Sequence, residues 1–217
     1  MTAFDPEAFT LLEAFEANND RDWFKQHRAD VDQLLRQPMA TFLEAVSEEL
    51  ADGAWPMRGS AATMMSQQRD TRYAPVPYHT SIRGLLSSHG GRLARDEGGG
   101  HVELDRLGGF IAAGFHQPPA TVLAPIRRRM LAEPDRYVAA IGALTDAGLQ
   151  LAAGQVKTMP RGFSENRDHP IASELRRTTL TVTQPITREQ WISGEALPIA
   201  IGLLSAAMPL LAFGHAR

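Results

Sequence analysis

The 217-residue chain contains no cysteine, which excludes a disulfide framework, a thiolate metal site and a cysteine nucleophile. Lysine is almost as scarce. Lys25 and Lys157 stand beside 20 arginines, so positive charge here is nearly all guanidinium, permanent and able to hold an anion bidentately. A lysine in such a chain is a candidate for chemistry that needs an amine able to change protonation. No repeat or low-complexity linker interrupts the sequence, and no Gly-x-Ser-x-Gly elbow supports a serine nucleophile. Gly98-Gly99-Gly100 lacks the spacing of a phosphate loop and is expected to be a flexible turn between strands. No basic patch is interleaved with aromatics, so nucleic acid is not an expected partner. The opening MTAFDPEAFTLLEAFEANND is acidic and lacks a signal-peptide plan, so a cytoplasmic protein is expected.

Charge is also missing from residues 196–214, ALPIAIGLLSAAMPLLAFG. That run approaches the roughly 20 apolar residues needed to span a bilayer. Against a membrane stand Pro198, Pro209, two glycines, and the lack of a flanking basic cluster or aromatic belt. The expectation is a buried helix starting at Pro198 and stopping near Pro209, with a tail anchor as the alternative.

What is present is enough apolar sequence, 43% of residues, to bury a sizeable core as a single domain over 1–217. The net charge of -3 hides an asymmetry. Residues 1–56 hold 12 acids and 4 bases, giving -8, which leaves +5 for residues 57–217. An acidic helical layer beside a mildly basic mixed part follows.

The periodicity agrees. Asp5 caps and Pro6 opens a first helix with Phe9, Leu12 and Phe15 inward, stopped at Asn18-Asn19. A second opens near Asp20 with Trp23, Phe24, His27, Val31, Leu34 and Leu35 on one face, where His27 reads as a satisfied core histidine. Pro38 is expected to end it and begin a third, closed by Gly53. Strands are predicted over 62–68, 101–105, 109–115 and 179–183, and helices over 121–131 and 135–144. Thr187-Arg188-Glu189-Gln190 is a capping box. The fold class is therefore α+β: an N-terminal layer of about three helices, a mainly antiparallel sheet and C-terminal helices.

Two segments carry more chemistry than a fold requires. In residues 69–80, Arg69, Arg72, Tyr78 and His79 follow a predicted strand, and two close guanidiniums either bind carboxylate or phosphate or tie down a loop. In residues 157–177 the bases Lys157, Arg161 and Arg167 surround Gly162 and His169. Pro170 keeps His169 out of the helical region, so His169 is expected to cap a helix reaching Arg177, whose N-terminus would suit an anion. His101, Glu103 and Asp105 alternate on one strand with His116 on the next. They could ligate a divalent metal, but a solvated sheet face looks the same, and no metal is expected.

The order Asn19-Asp20-Arg21-Asp22-Trp23-Phe24, Arg69-Asp70-Thr71-Arg72-Tyr73, Pro77-Tyr78-His79-Thr80, Gly114-Phe115 and Lys157-Thr158-Met159-Pro160-Arg161-Gly162-Phe163 with Asp168-His169-Pro170 resembles the bacterial family of domain of unknown function 2461. The resemblance spans nearly the whole chain and implies no activity. Relatives usually carry a Lys-rich turn followed by Pro-Tyr-Lys-Thr. Here Ala74-Pro75-Val76 is shorter, and His79 stands where that lysine is usual.

The resulting expectation is one anion-binding pocket made by both segments for a small phosphorylated or carboxylated metabolite, without a cofactor and with catalysis left open. Arg69, Arg72, Tyr78, Arg161 and Arg167 would bind the substrate. Lys157, Asp70, His169 and His79 would move protons. The alternative is a non-catalytic interaction module in which the basic segments only lock loops.

Overall fold

A computed structural model of the chain describes residues 3–70, 72–91, 93 and 97–216; Thr71 of the Arg-Asp-x-Arg motif lies outside them. The N-terminal layer forms as its caps dictate. Asp5 accepts from the Glu7 amide at 2.8 Å and opens α1 (Pro6–Ala17). Asp20 accepts from the amides of Asp22 and Trp23, both at 2.9 Å, and opens α2 (Arg21–Gln26). His27 is satisfied by the Trp23 carbonyl and stacks on the Trp23 ring.

Then comes α3 (Arg28–Asp30), a π-helical turn (Val31–Arg36) and α4 (Gln37–Glu49). The expected break at Pro38 does not occur. Proline is tolerated in the first turn of α4, and the wider turn before it accommodates the missing N–H.

The predicted strand over 62–68 is instead a 3-10 turn (Ala61–Thr63), locked by reciprocal Ser60 and Thr63 capping bonds, followed by isolated bridges at Met64 and Gln68. The first strand of the sheet, β1 (Ile82–Leu86), has no sequence expectation behind it. It leads to β2 (Gly99–Asp105) and β3 (Gly108–Phe115). Gly99 and Gly100 are thus strand residues of β2, not a flexible turn. Helices α5 (Ala120–Ala132) and α6 (Pro134–Asp146), the single turn α7 (Ala172–Leu175), β4 (Leu180–Pro185), α8 (Arg188–Ser193) and α9 (Ala196–His215) complete the chain. The sheet is an antiparallel meander in the order β1-β2-β3-β4.

Register makes the sheet two-faced. Ile82, Gly84 and Leu86 share one face with Val102, Leu104, Ile111, Ala113, Phe115, Leu180 and Val182. This face is buried under α4 and α9. At Gly84 a Cβ would stand 2.4 Å from Leu43 Cδ1, so glycine lets α4 approach β1 closely. The opposite face carries Arg83, His101, Glu103 and Phe110, each only half-buried.

The apolar run becomes α9, which buries Ala200, Leu203, Leu204, Ala207, Leu210, Leu211 and Phe213 in the core. It is long and apolar enough to cross a membrane, with mean hydropathy 2.1. Pro209 does not stop it. The carbonyl freed by the missing N–H belongs to exposed Ser205, and burying the residues after Pro209 outweighs a loss of about 3 kcal/mol.

Candidate functional site

The half-covered sheet face is where charged groups gather. Arg83 and Glu103 are register partners on β1 and β2, which sets their Cβ atoms about 5 Å apart. Glu103 also lies beside His101, whose Nε2 is 3.1 Å from its Oε2. The His101 ring stacks on Phe110, with centroids 5.3 Å apart. Burial pushes the Glu103 carboxyl up, but bonds from His101 and Ser81 and the charge of Arg83 outweigh it, and its pKa lies below the ordinary value.

The hairpin before β1 brings in Arg69 and His79. Gln68 bridges Tyr78, the Arg69 amide donates to Pro77, and the His79 amide donates to Gln67 at 2.7 Å. Gln67 Nε2 ties the turn down by donating to the carbonyls of His79 and Ser81, each at 3.0 Å. The imidazole of His79 is held below its usual pKa by burial and by the charges of Arg83 and Arg69, against the pull of Glu103. Arg83 donates through Nη2 to the Ser66 carbonyl at 3.0 Å. The Nε atoms of Arg69 and Arg83 are both buried without a hydrogen-bond partner. Arg83 therefore faces a carboxylate that His101 already engages, and the charge of Arg69 adds to that of Arg83 beside it.

The N-terminal motif is the brace for this hairpin. The Asn19 side chain accepts from the Tyr78 amide at 3.1 Å and donates to the Tyr78 carbonyl at 2.9 Å. Tyr78, a candidate ligand residue in the sequence, is buried and stacks on Phe24 with centroids 4.2 Å apart. Asp70 and Arg72 pair with each other at 2.6 Å on the exposed tip, and that pairing holds the Asp70 carboxyl below its ordinary pKa.

Residues 157–170 lie elsewhere. The backbone at 151–156 runs along β4, through bridges Leu151–Val182 and Gln155–Arg177, and leaves past the Leu180 end. The 67–79 hairpin sits past the Ile82 end of β1, on the far edge. Expected to share one pocket, the segments are anchored at opposite corners of the sheet, across three strand spacings of roughly 4.8 Å each and the length of a strand.

In the second segment the Phe163 amide donates to Pro160 at 3.0 Å and Gly162 has φ +85°, a type II turn with Arg161 and Gly162 at its centre. Arg161, Lys157 and Arg167 are exposed. His169 Nδ1 accepts from the Ile171 amide at 3.3 Å, and its carbonyl accepts from Ala172. The helix it precedes is a single turn, not one reaching Arg177, so the expected anion site at its N-terminus is not formed. Nearby, Glu174 accepts from Tyr137 at 2.7 Å and pairs with Arg177 at 2.6 Å.

The strand ligands divide as well. Asp105 accepts from the Leu107 amide, His116 is exposed past β3, and among the described residues no three of the metal-ligating types converge. Arg83, at the centre of the sheet-face cluster, was not among the sequence candidates. The signal was a lone arginine between Ile82 and Gly84, alternating with buried residues.

Fold and site together define an α+β protein with a four-stranded antiparallel meander, helices on one face and an arginine-rich cluster on the other. Residues 7–213 match the family described as conserved hypothetical protein (DUF2461), and the chain belongs to that family. Neither the curated proteins nor the solved structures contain a match.

Proposed function

We propose that the protein binds a small phosphorylated or carboxylated metabolite on the half-covered sheet face, with Arg69 and Arg83 holding its anionic group. The observation that carries this reading is the pair of buried Nε donors without acceptors, on arginines of which Arg83 alone stands opposite a carboxylate, one already shared with His101. Buried donors left unpaired are costly, and an oxyanion would supply both acceptors and the missing charge. A catalytic role is a second reading, favoured by His79. Its depressed pKa keeps the ring neutral near pH 7, able to accept a proton from a bound substrate.

A thermal-shift series with phosphate, sulfate, nucleotides and small carboxylates tests the proposal. A true ligand at a hundredfold excess over Kd stabilises by roughly 2.7 kcal/mol. Arg83→Gln should abolish the shift and Arg69→Lys should weaken it, because an ammonium cannot reproduce the guanidinium fork. Arg28→Gln, at a side chain 76% exposed, should leave it intact. If no anion raises the melting temperature, the cluster serves only to lock the hairpin.

A further inference from the structure

The corner of the sheet that holds Arg161 contains an open cleft of about 590 Å³. Its walls come from the loop after β3, the start of α5 and the turn at 156–161. Arg127 lies in its lining and is 7% exposed. Its Nε donates to the Leu175 carbonyl at 2.7 Å and its Nη2 to the Arg177 carbonyl at 2.8 Å. Among the described residues no carboxylate pairs with it, and burial pushes its pKa down. A guanidinium so buried and lacking a counter-ion is rare, since carbonyl dipoles orient it but do not neutralise it.

Two further features point to the same cleft. Gln117 lines it with φ +43°, the one non-glycine residue of positive φ among the described residues. Such strain persists where the surroundings enforce it, as they do at ligand sites. The side chains of Gln117, Thr158 and Thr178 make no hydrogen bond within the described protein, and all three line the cleft. The lining also holds the apolar side chains of Leu123, Val156 and Met159. Buried Phe163, below the Arg127 guanidinium, fixes the turn that presents Arg161 at the rim.

We infer that this cleft is a second ligand site, separate from the sheet-face cluster, for an amphipathic monocarboxylate. Its carboxylate would meet Arg127 and Arg161, and its aliphatic or aryl body would lie against Leu123, Val156 and Met159. A compact dianion such as phosphate uses none of the apolar wall and belongs to the other corner. Charge places the head group and apolar contact holds the tail.

Calorimetric titration of the full chain with octanoate, phenylacetate and inorganic phosphate tests the site. Octanoate should bind the wild-type protein, and Arg161→Gln should weaken it about tenfold, the loss of one charge-assisted bond. Because Arg127→Met could unfold the α5 anchor, the second variant is Ala120→Trp. It fills the cleft from an exposed position on the wall, leaves every charge in place, and should abolish octanoate binding. Arg28→Gln, on the exposed surface, should leave octanoate binding unchanged, and phosphate titrated into the Arg161→Gln protein reads the sheet-face site alone, so failure of the sheet-face proposal and failure of this one are distinguishable. Absence of octanoate binding at millimolar concentration overturns the inference. So does binding that survives both Arg161→Gln and Ala120→Trp.

Discussion

Arg83 on β1 stands directly across from Glu103 on β2, and His79 lies within the field of both. Burial and the arginines depress the His79 pKa, while Glu103 pulls it upward. Arg83→Gln should therefore move the His79 titration towards the ordinary value of about 6.5, and Glu103→Gln should move it further down. Opposite shifts in an NMR titration of the imidazole would confirm the arrangement; two shifts of the same sign would refute it.

His215 predicts how stability responds to acid. Its ring stacks on Trp55, centroids 4.3 Å apart, and meets Phe115 at a tilt, centroids 5.0 Å apart, and burial pushes its pKa down despite the Gly98 backbone bond and the charge of Glu97. A histidine with a lowered folded-state pKa binds fewer protons folded than unfolded. Its contribution is then complete above about pH 6.5 and is lost as pH falls through the folded pKa, and His79 adds the same sign. Urea denaturation should show lower stability at pH 5.5 than at 7.5, with a smaller loss in His215→Phe. Equal losses in the two proteins would remove His215 as the cause.

Asn19 is predicted to stabilise the fold out of proportion to its size. Removing its amide strands both polar groups of the Tyr78 backbone, a part-buried pair, at about 1–3 kcal/mol. Asn19→Ala should lower the denaturation midpoint and speed hydrogen exchange at the Tyr78 amide. Unchanged exchange there would mean that the hairpin is held by the aromatic stack alone.

Gly84 offers a packing test. Leu43 is fully buried, so an added methyl on β1 would force the α4 contact apart and should cost about 1–3 kcal/mol. Gly84→Ala combined with Leu43→Ala should lose less than the sum of the two single losses, because each makes room for the other. Strict additivity in denaturant titrations would show that the two side chains do not compete for one space.

Much of the fold is legible in the sequence because local signals carry it. Asp5-Pro6, Asp20 and the Thr187–Gln190 box mark helix starts, and alternation marks the greater part of β2, β3 and β4. β1 has no such signal. Gly84 weakens its propensity, and pairing with β2 and packing against Leu43 decide its state. The candidate site is legible in part: Arg69 and His79 stand out by residue type. Their partners do not, since register alone turns His101 and Glu103 from a possible ligand set into neighbours of Arg83. Register also separates Arg161 from Arg69, which proximity in a motif list cannot express. Arg127 escapes notice for a different reason: among Arg127, Arg128 and Arg129 of α5 it alone is buried, and only the tertiary fold selects it.

The irregular backbone beside the two outer strands has a further consequence. Arg58 and Met64 bridge to Ser87 and Gly84 along one border of the sheet, and Leu151 bridges to Val182 along the other. Unpaired amides and carbonyls at a border are what invites another chain to extend a sheet, the first step towards cross-β aggregation. Here both borders are partly capped from within the same chain. Strand addition is thereby disfavoured against association through side-chain surfaces, which charge can tune.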